Sequence, residues 1–251
     1  DGLLGGATPW PSNPGRPFLL LAAAVVPAAG VPRERPPAER PDPEAVIERF
    51  PIAKGGPLLM VPVELKGKTY PFALDTGCSG SVYDTSLAPL LGEPISMCEV
   101  RTADGVVRRP LYPSRGARLG GLSLRTGSPV VTSDLRRLRE GLGEDVYGCV
   151  GMDFLSKHVF RVDPDRGEVA FLRSAGPDAG GRLPTTTRNN VPFVRVKLAG
   201  LDEPEMFLVD TGASSGGGTG LLRAEAFDAL ARQGKIKPID TALALSLSGP
   251  S

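Results

Sequence analysis

The chain has 251 residues with a formal net charge of +1, 41% apolar and 23% charged. That is ordinary globular composition with length enough for a core, and no basic or acidic surplus points to nucleic acid or an anionic surface. One histidine argues against metal and Ser-His-Asp chemistry, while 32 glycines and 26 prolines favour turn-rich β structure over a helical bundle.

The three cysteines, Cys78, Cys98 and Cys149, lack C-x-x-C spacing and form neither a zinc cluster nor a disulfide framework. They read as small buried apolar residues, with a Cys98–Cys149 bridge left open for an oxidising compartment.

Residues 1–30 read as a leader. Its apolar run, 18–26, is too short to span a bilayer but fits a signal-peptide core behind Arg16, with cleavage after Ala28 or Ala29. A secreted or periplasmic location follows from that expectation. Trp10 lies in a Pro/Gly-rich tail with no fixed role. Residues 31–52 form a proline-rich linker and then a short helix over "PEAVIERF" (43–50), with Asp42 as N-cap and Pro43 first.

The first lobe is expected over 53–174. Leu59, Val61, Val63 and Leu65 alternate as in a half-buried strand, "KGK" turns the chain, and residues 69–74 return as a strand delivering Asp75. "ISMCEVRTADGVVRR" reads as a hairpin turning at Asp104 and Gly105. "ARLGGLSLRTGSPVVTSDL" gives two short strands, and "DLRRLRE" (134–140) a solvated basic face. "DVYGCVGMDFLSKHVFRVDPDRGEVAFL" gives an apolar run, a short helix and a hairpin at "DPDRG", with His158 on a solvent-edge strand. Residues 175–190 have lost apolar periodicity and read as a linker.

From 191 to 251 the opening pattern returns as a second lobe. In "VPFVRVKLAG" Val194, Val196, Leu198 and Gly200 fall where Val61, Val63, Leu65 and Gly67 fall in "LLMVPVELKG". Phe207, Val209 and Asp210 then take the places of Phe72, Leu74 and Asp75, so a hairpin-plus-Asp unit occurs twice. "SSGGGTG" (214–220) lacks the Lys-Ser/Thr of a phosphate loop, and the helix expected after it, with Leu222, Ala226, Phe227 and Leu230, is a packing element.

Two aspartates at strand ends, each followed by Thr-Gly, suggest a paired-carboxylate site. Carboxylates a few ångströms apart cannot both ionise cheaply, so one keeps a proton and the pair can serve as acid and base. Gly77 and Gly212 allow close approach of the two loops, and Thr76 and Thr211 can bond across them.

These residues resemble the retropepsin-like and pepsin-like aspartic peptidases, in the bacterial single-chain form with two D-T-G halves. "VYGCVGMDFL" (146–155) is similar to the apolar-apolar-Gly segment that passes beneath the active-site loop in that family. The resemblance implies an all-β fold of duplicated acid-protease-like β-barrel lobes, the second incomplete. It implies Asp75 and Asp210 as the catalytic pair, with Thr76, Gly77, Thr211 and Gly212 supporting the loops. Val150 and Gly151 would be the segment beneath, and Asp104 and Gly105 the tip of a substrate-covering flap.

The activity implied is hydrolysis of peptide or protein substrates, with no metal, no cofactor, no nucleic acid and no stable membrane span. Only 41 residues follow Asp210, so the second half reads as unfinished. Two alternatives stand beside the enzyme. One is a homodimer pairing Asp75 from two chains; the other is a non-catalytic binding or dimerisation module.

Overall fold

The structure is a computed structural model that describes residues 21–24, 46–102, 105–114, 116–176, 181–213 and 224–241. Strand β1 (Leu21–Ala24), inside the expected leader, pairs antiparallel with a strand near the other end of the chain. Next comes β2 (Val46–Pro51), where the sequence predicts a helix. Its side chains alternate about the strand, with Phe50 buried and Ile47 and Arg49 exposed. Pairing with a later strand overrides the weak helical signal, whose proposed cap, Asp42 with Pro43, lies outside the described residues.

Strands β3 (Met60–Leu65) and β4 (Lys68–Leu74) form the expected hairpin. Val61, Val63 and Leu65 point into the core while Pro62 and Glu64 face out, as a period of two requires. Lys66 (φ 53°) and Gly67 (φ 77°) both sit in the left-handed region, the two-residue turn that matches strand twist. Beyond Asp75 follow β5 (Val82–Asp84), a 3-10 turn (Thr85–Leu87) and α1 (Ala88–Leu91). The hairpin predicted around Asp104 forms from β6 (Ser96–Thr102) and β7 (Gly105–Tyr112), with Thr102 opposite Gly105. Asp104 itself lies outside the described residues.

The stretch read as two short strands holds three: β8 (Arg118–Leu119), β9 (Leu122–Ser123) and β10 (Val130–Ser133). The basic cluster is helix α2 (Arg136–Leu142), and it is not wholly solvated. Arg139 reaches in to the buried Asp84 at 3.0 Å and to the Val146 carbonyl at 2.8 Å. Strand β11 (Gly148–Val150), α3 (Met152–Leu155) and the hairpin β12 (Val159–Asp163) with β13 (Glu168–Leu172) complete this part. His158 is half-buried at a bend before β12 and stacks on Phe154 with ring centroids 4.2 Å apart, rather than lying on a solvent edge.

The expected linker contains β14 (Thr185–Arg188). All four of its residues are exposed, so no apolar alternation marked it in the sequence. Asn189 (φ 48°) and Asn190 (φ 65°) turn it into β15 (Val191–Val196), which pairs with β16 (Glu205–Leu208). Helix α4 (Ala224–Arg232) buries Ala226, Phe227 and Leu230, as its apolar stripe predicts, and β17 (Lys237–Thr241) is the partner of β1.

The fold is all-β in character, with few and short helices, consistent with an acid-protease-like architecture. Nine strands form one sheet in the order β6-β7-β10-β5-β11-β4-β3-β8-β9, and a three-stranded sheet β12-β13-β2 accompanies it. Among the described residues the end strands β6 and β9 do not pair, so no closed barrel is seen there. Closure needs strands long enough to tilt and stagger, and β5, β8, β9 and β11 have only two or three residues each. The core fills the space the sheets enclose, around Phe72, Leu74, Leu119, Val150, Phe154 and Phe171. Among the described residues no helix is long and apolar enough to cross a membrane.

Candidate active site

The two hairpins β3–β4 and β15–β16 end in matching ways. Leu74 N–H donates to the Leu59 carbonyl at 2.9 Å, and Val209 N–H donates to the Pro192 carbonyl at 2.9 Å. The next residue in each copy is the aspartate. The sequence repeat is therefore also a repeat of backbone bonding.

The loops after the strands interlock reciprocally. Thr76 N–H donates to Thr211 Oγ1 at 3.1 Å, and Thr211 N–H donates to Thr76 Oγ1 at 3.0 Å. Each hydroxyl in turn donates across the pair, Thr76 to the Val209 carbonyl at 2.6 Å and Thr211 to the Leu74 carbonyl at 2.8 Å. These four bonds leave the two threonines no freedom to rotate independently, and they tie each loop to the strand feeding the other.

Within each loop the carboxylate is aimed by the backbone. Asp75 Oδ1 accepts from Gly77 N–H at 2.8 Å, and Asp210 Oδ1 accepts from Gly212 N–H at 2.8 Å and Ala213 N–H at 3.1 Å. A methyl group on Gly77 would lie 2.5 Å from the Asp210 carboxyl carbon, and one on Gly212 would lie 2.4 Å from that of Asp75. No real side chain tolerates such contacts, so glycine is required for the close approach that brings the carboxyls into hydrogen-bonding reach.

The environments of the two acids differ. Asp75 is buried at 6% exposure, whereas Asp210 is half-buried. Burial, and then the negative charge of Asp210, push the Asp75 carboxyl up to about 7 against the pull of the Gly77 amide. Of the two neighbouring acids the more buried is the costlier to ionise, so Asp75 is the carboxyl that keeps its proton toward neutral pH.

Val150 and Gly151 lie directly under the first loop. Asp75 N–H donates to the Val150 carbonyl at 3.0 Å, and β11 runs parallel to β4 with Val150 beside Leu74. A Cβ on Gly151 would meet the Gly80 backbone at 2.5 Å, so the loop rests on this glycine. Met152 N–H donates to the Cys78 carbonyl at 2.8 Å.

Two partners, Ser81 and Asn190, went unread in the sequence. Ser81 accepts from Gly151 N–H at 3.1 Å and donates to Asp153 at 2.8 Å, and Asn190 donates to the Ser79 carbonyl at 3.0 Å. Neither stands in a motif, and only their contacts reveal them.

All three cysteines are free thiols. The neighbour of Cys149 is Cys78, not the Cys98 entertained from the sequence. The Cys78 and Cys149 sulfurs and an Asp75 carboxylate oxygen lie within 4.8 Å of one another, the arrangement among the described residues that could hold a cation. Gly105 is the first residue of β7, and "SSGGGTG" lies outside the described residues.

No curated protein matches the chain. Residues 61–154 match the aspartyl protease family model, a stretch that holds Asp75, Thr76 and Gly77 together with Val150 and Gly151. That segment, with its strand-borne aspartate seated over a Gly-containing strand, is similar to the aspartyl protease family.

Proposed function

We propose that the protein is an aspartic endopeptidase in which Asp75 and Asp210 activate one water between them. The observation that carries this reading is the mutual seating of two D-T-G loops, each glycine against the other copy's carboxyl, with Asp75 pushed up to about 7. Asp210 takes a proton from the water as its oxygen bonds to the substrate carbonyl carbon, and Asp75 gives its proton to the carbonyl oxygen. Collapse of the tetrahedral species breaks the C–N bond as Asp210 gives its proton to the departing nitrogen and a hydroxyl proton of the species returns to Asp75. The pair ends with one proton, as it began.

Thr76 and Thr211 hold the acids in register, and Val150 and Gly151 support the first loop. The β6–β7 hairpin, whose turn the sequence assigns to Asp104 and Gly105, covers an extended peptide bound by strand-like backbone bonds. Asp75 meets its mate within the same chain, so this reading has no need of the second chain that a homodimer supplies.

The test is hydrolysis of an unfolded protein substrate by the Asp75→Asn and Asp210→Asn variants. Each should lose about 10³-fold or more in rate, the scale of removing an acid–base partner. Turnover by Asp75→Asn within a few-fold of the parent would overturn the proposal.

A further inference from the structure

Cys149 is the middle residue of β11, fully buried, flanked by Ala73 of β4 and Val82 of β5. Cys78 lies three residues past Asp75, is half-buried, and donates its S–H to the Gly80 carbonyl at 3.0 Å. The Cys149 thiol is hydrogen-bonded to that of Cys78, with the sulfurs within 4.8 Å. The segments carrying them are already fastened by Met152 N–H to the Cys78 carbonyl and Gly151 N–H to Ser81. One thiol thus faces an approach from solvent and the other waits behind it, the arrangement of an attacking and a resolving cysteine.

We propose that Cys78 and Cys149 form an oxidisable dithiol, a modification site beneath the active-site loop that reacts with hydroperoxides to give an internal disulfide. The Cys78 sulfur attacks the peroxide, forming S–O as O–O breaks, and the departing hydroxide leaves as water with a proton. The Cys149 sulfur then attacks the Cys78 sulfur, forming S–S as S–O breaks, and the second oxygen leaves as water with the Cys149 proton. Two thiols lose two electrons, and hydrogen peroxide becomes two waters (an organic hydroperoxide, an alcohol and one water). The order is fixed by accessibility, and the bond to Cys78, with burial second, pushes the Cys149 thiol up, away from attack on its own account.

A disulfide draws the sulfurs to about 2.05 Å. Cys78 then moves toward β11, and with it the backbone amide that Cys78 lends to the Asp75 carboxylate. The second part of the inference rests on the proposed peptidase activity: closing the bridge shifts the loop and slows turnover.

The experiment uses the full chain carrying Cys98→Ala, treated with hydrogen peroxide and quenched with catalase. The intact mass should fall by about 2 Da, two hydrogens, and digestion should yield the Cys78 peptide joined to the Cys149 peptide. With Cys149→Ala added, the linkage should vanish and a dimedone-trapped sulfenic acid should appear on Cys78. Linkage should cut turnover by about 10²-fold, the cost of an ångström-scale misplacement, and dithiothreitol should restore it. Two thiols that remain alkylatable, or Cys78 running to sulfinic acid without a bridge, overturn the modification site. A bridge that forms with turnover unchanged overturns the control. The mass map is independent of catalysis, so it decides the dithiol even if no peptide is ever cleaved.

Discussion

Asp75 is an acid that folding places where ionisation is costly, and stability should record it. Its proton leaves near the ordinary 3.8 in the unfolded chain but near 7 in the fold. Between those values the folded chain binds the extra proton. The group's contribution is therefore full below about pH 4 and is lost as pH rises through about 7, a loss on the order of a few kcal/mol. Asp75→Asn removes the ionising group, so its thermal midpoint should exceed the parent's at pH 8 and the gain should shrink toward pH 4. An advantage that does not change with pH would contradict the assignment. Gly212→Ala makes the complementary test, since its methyl would lie 2.4 Å from the Asp75 carboxyl carbon. It should destabilise the fold by about 1–3 kcal/mol, as overpacking does, and abolish peptidase activity. At this scale the sequence was informative: the acids, the glycines and the threonines lie in contiguous triplets. The Cys78–Cys149 contact was not legible, because it joins a loop to a strand far along the chain and no spacing announces it.

Elements whose pattern is local and apolar were legible as well. The alternation of Val61, Val63 and Leu65 with a Lys-Gly turn specifies a hairpin on its own, and the same pattern around Val194 and Val196 specifies its copy. Where tertiary pairing decides, the sequence misleads. "VIERF" reads equally as a helical turn or a strand until β13 supplies Ala170 opposite Arg49 and Phe171 opposite Glu48. "TTTR" has no apolar face at all, and the paired left-handed asparagines after it were the signal overlooked. Between the two copies, the threonine interlock should dominate. Thr211→Val removes an acceptor for Thr76 N–H and a donor to the Leu74 carbonyl. It should cost about 1–3 kcal/mol in urea unfolding, with Thr211→Ser recovering most of it. A loss in Thr211→Ser with none in Thr211→Val would show that the methyl, not the hydroxyl, matters.

At the scale of the whole molecule, the site exists only because two hairpins far apart in sequence meet at their ends. Acid-protease-like all-β architecture followed from the repeat, but the openness of the nine-stranded sheet did not, since barrel closure depends on strand lengths that only pairing defines. Because both acids come from one chain, mixing Asp75→Asn with Asp210→Asn should restore no activity. Recovery on mixing would instead point to exchange of lobes between chains.

The most direct measurement is a carbon-13 NMR titration of the Asp75 carboxyl, in the parent and in Asp210→Asn. The geometry predicts a midpoint near 7 in the parent, moving down when the Asp210 charge is removed. An ordinary midpoint near 3.8, indifferent to Asp210, would mean that the two carboxyls do not share a proton.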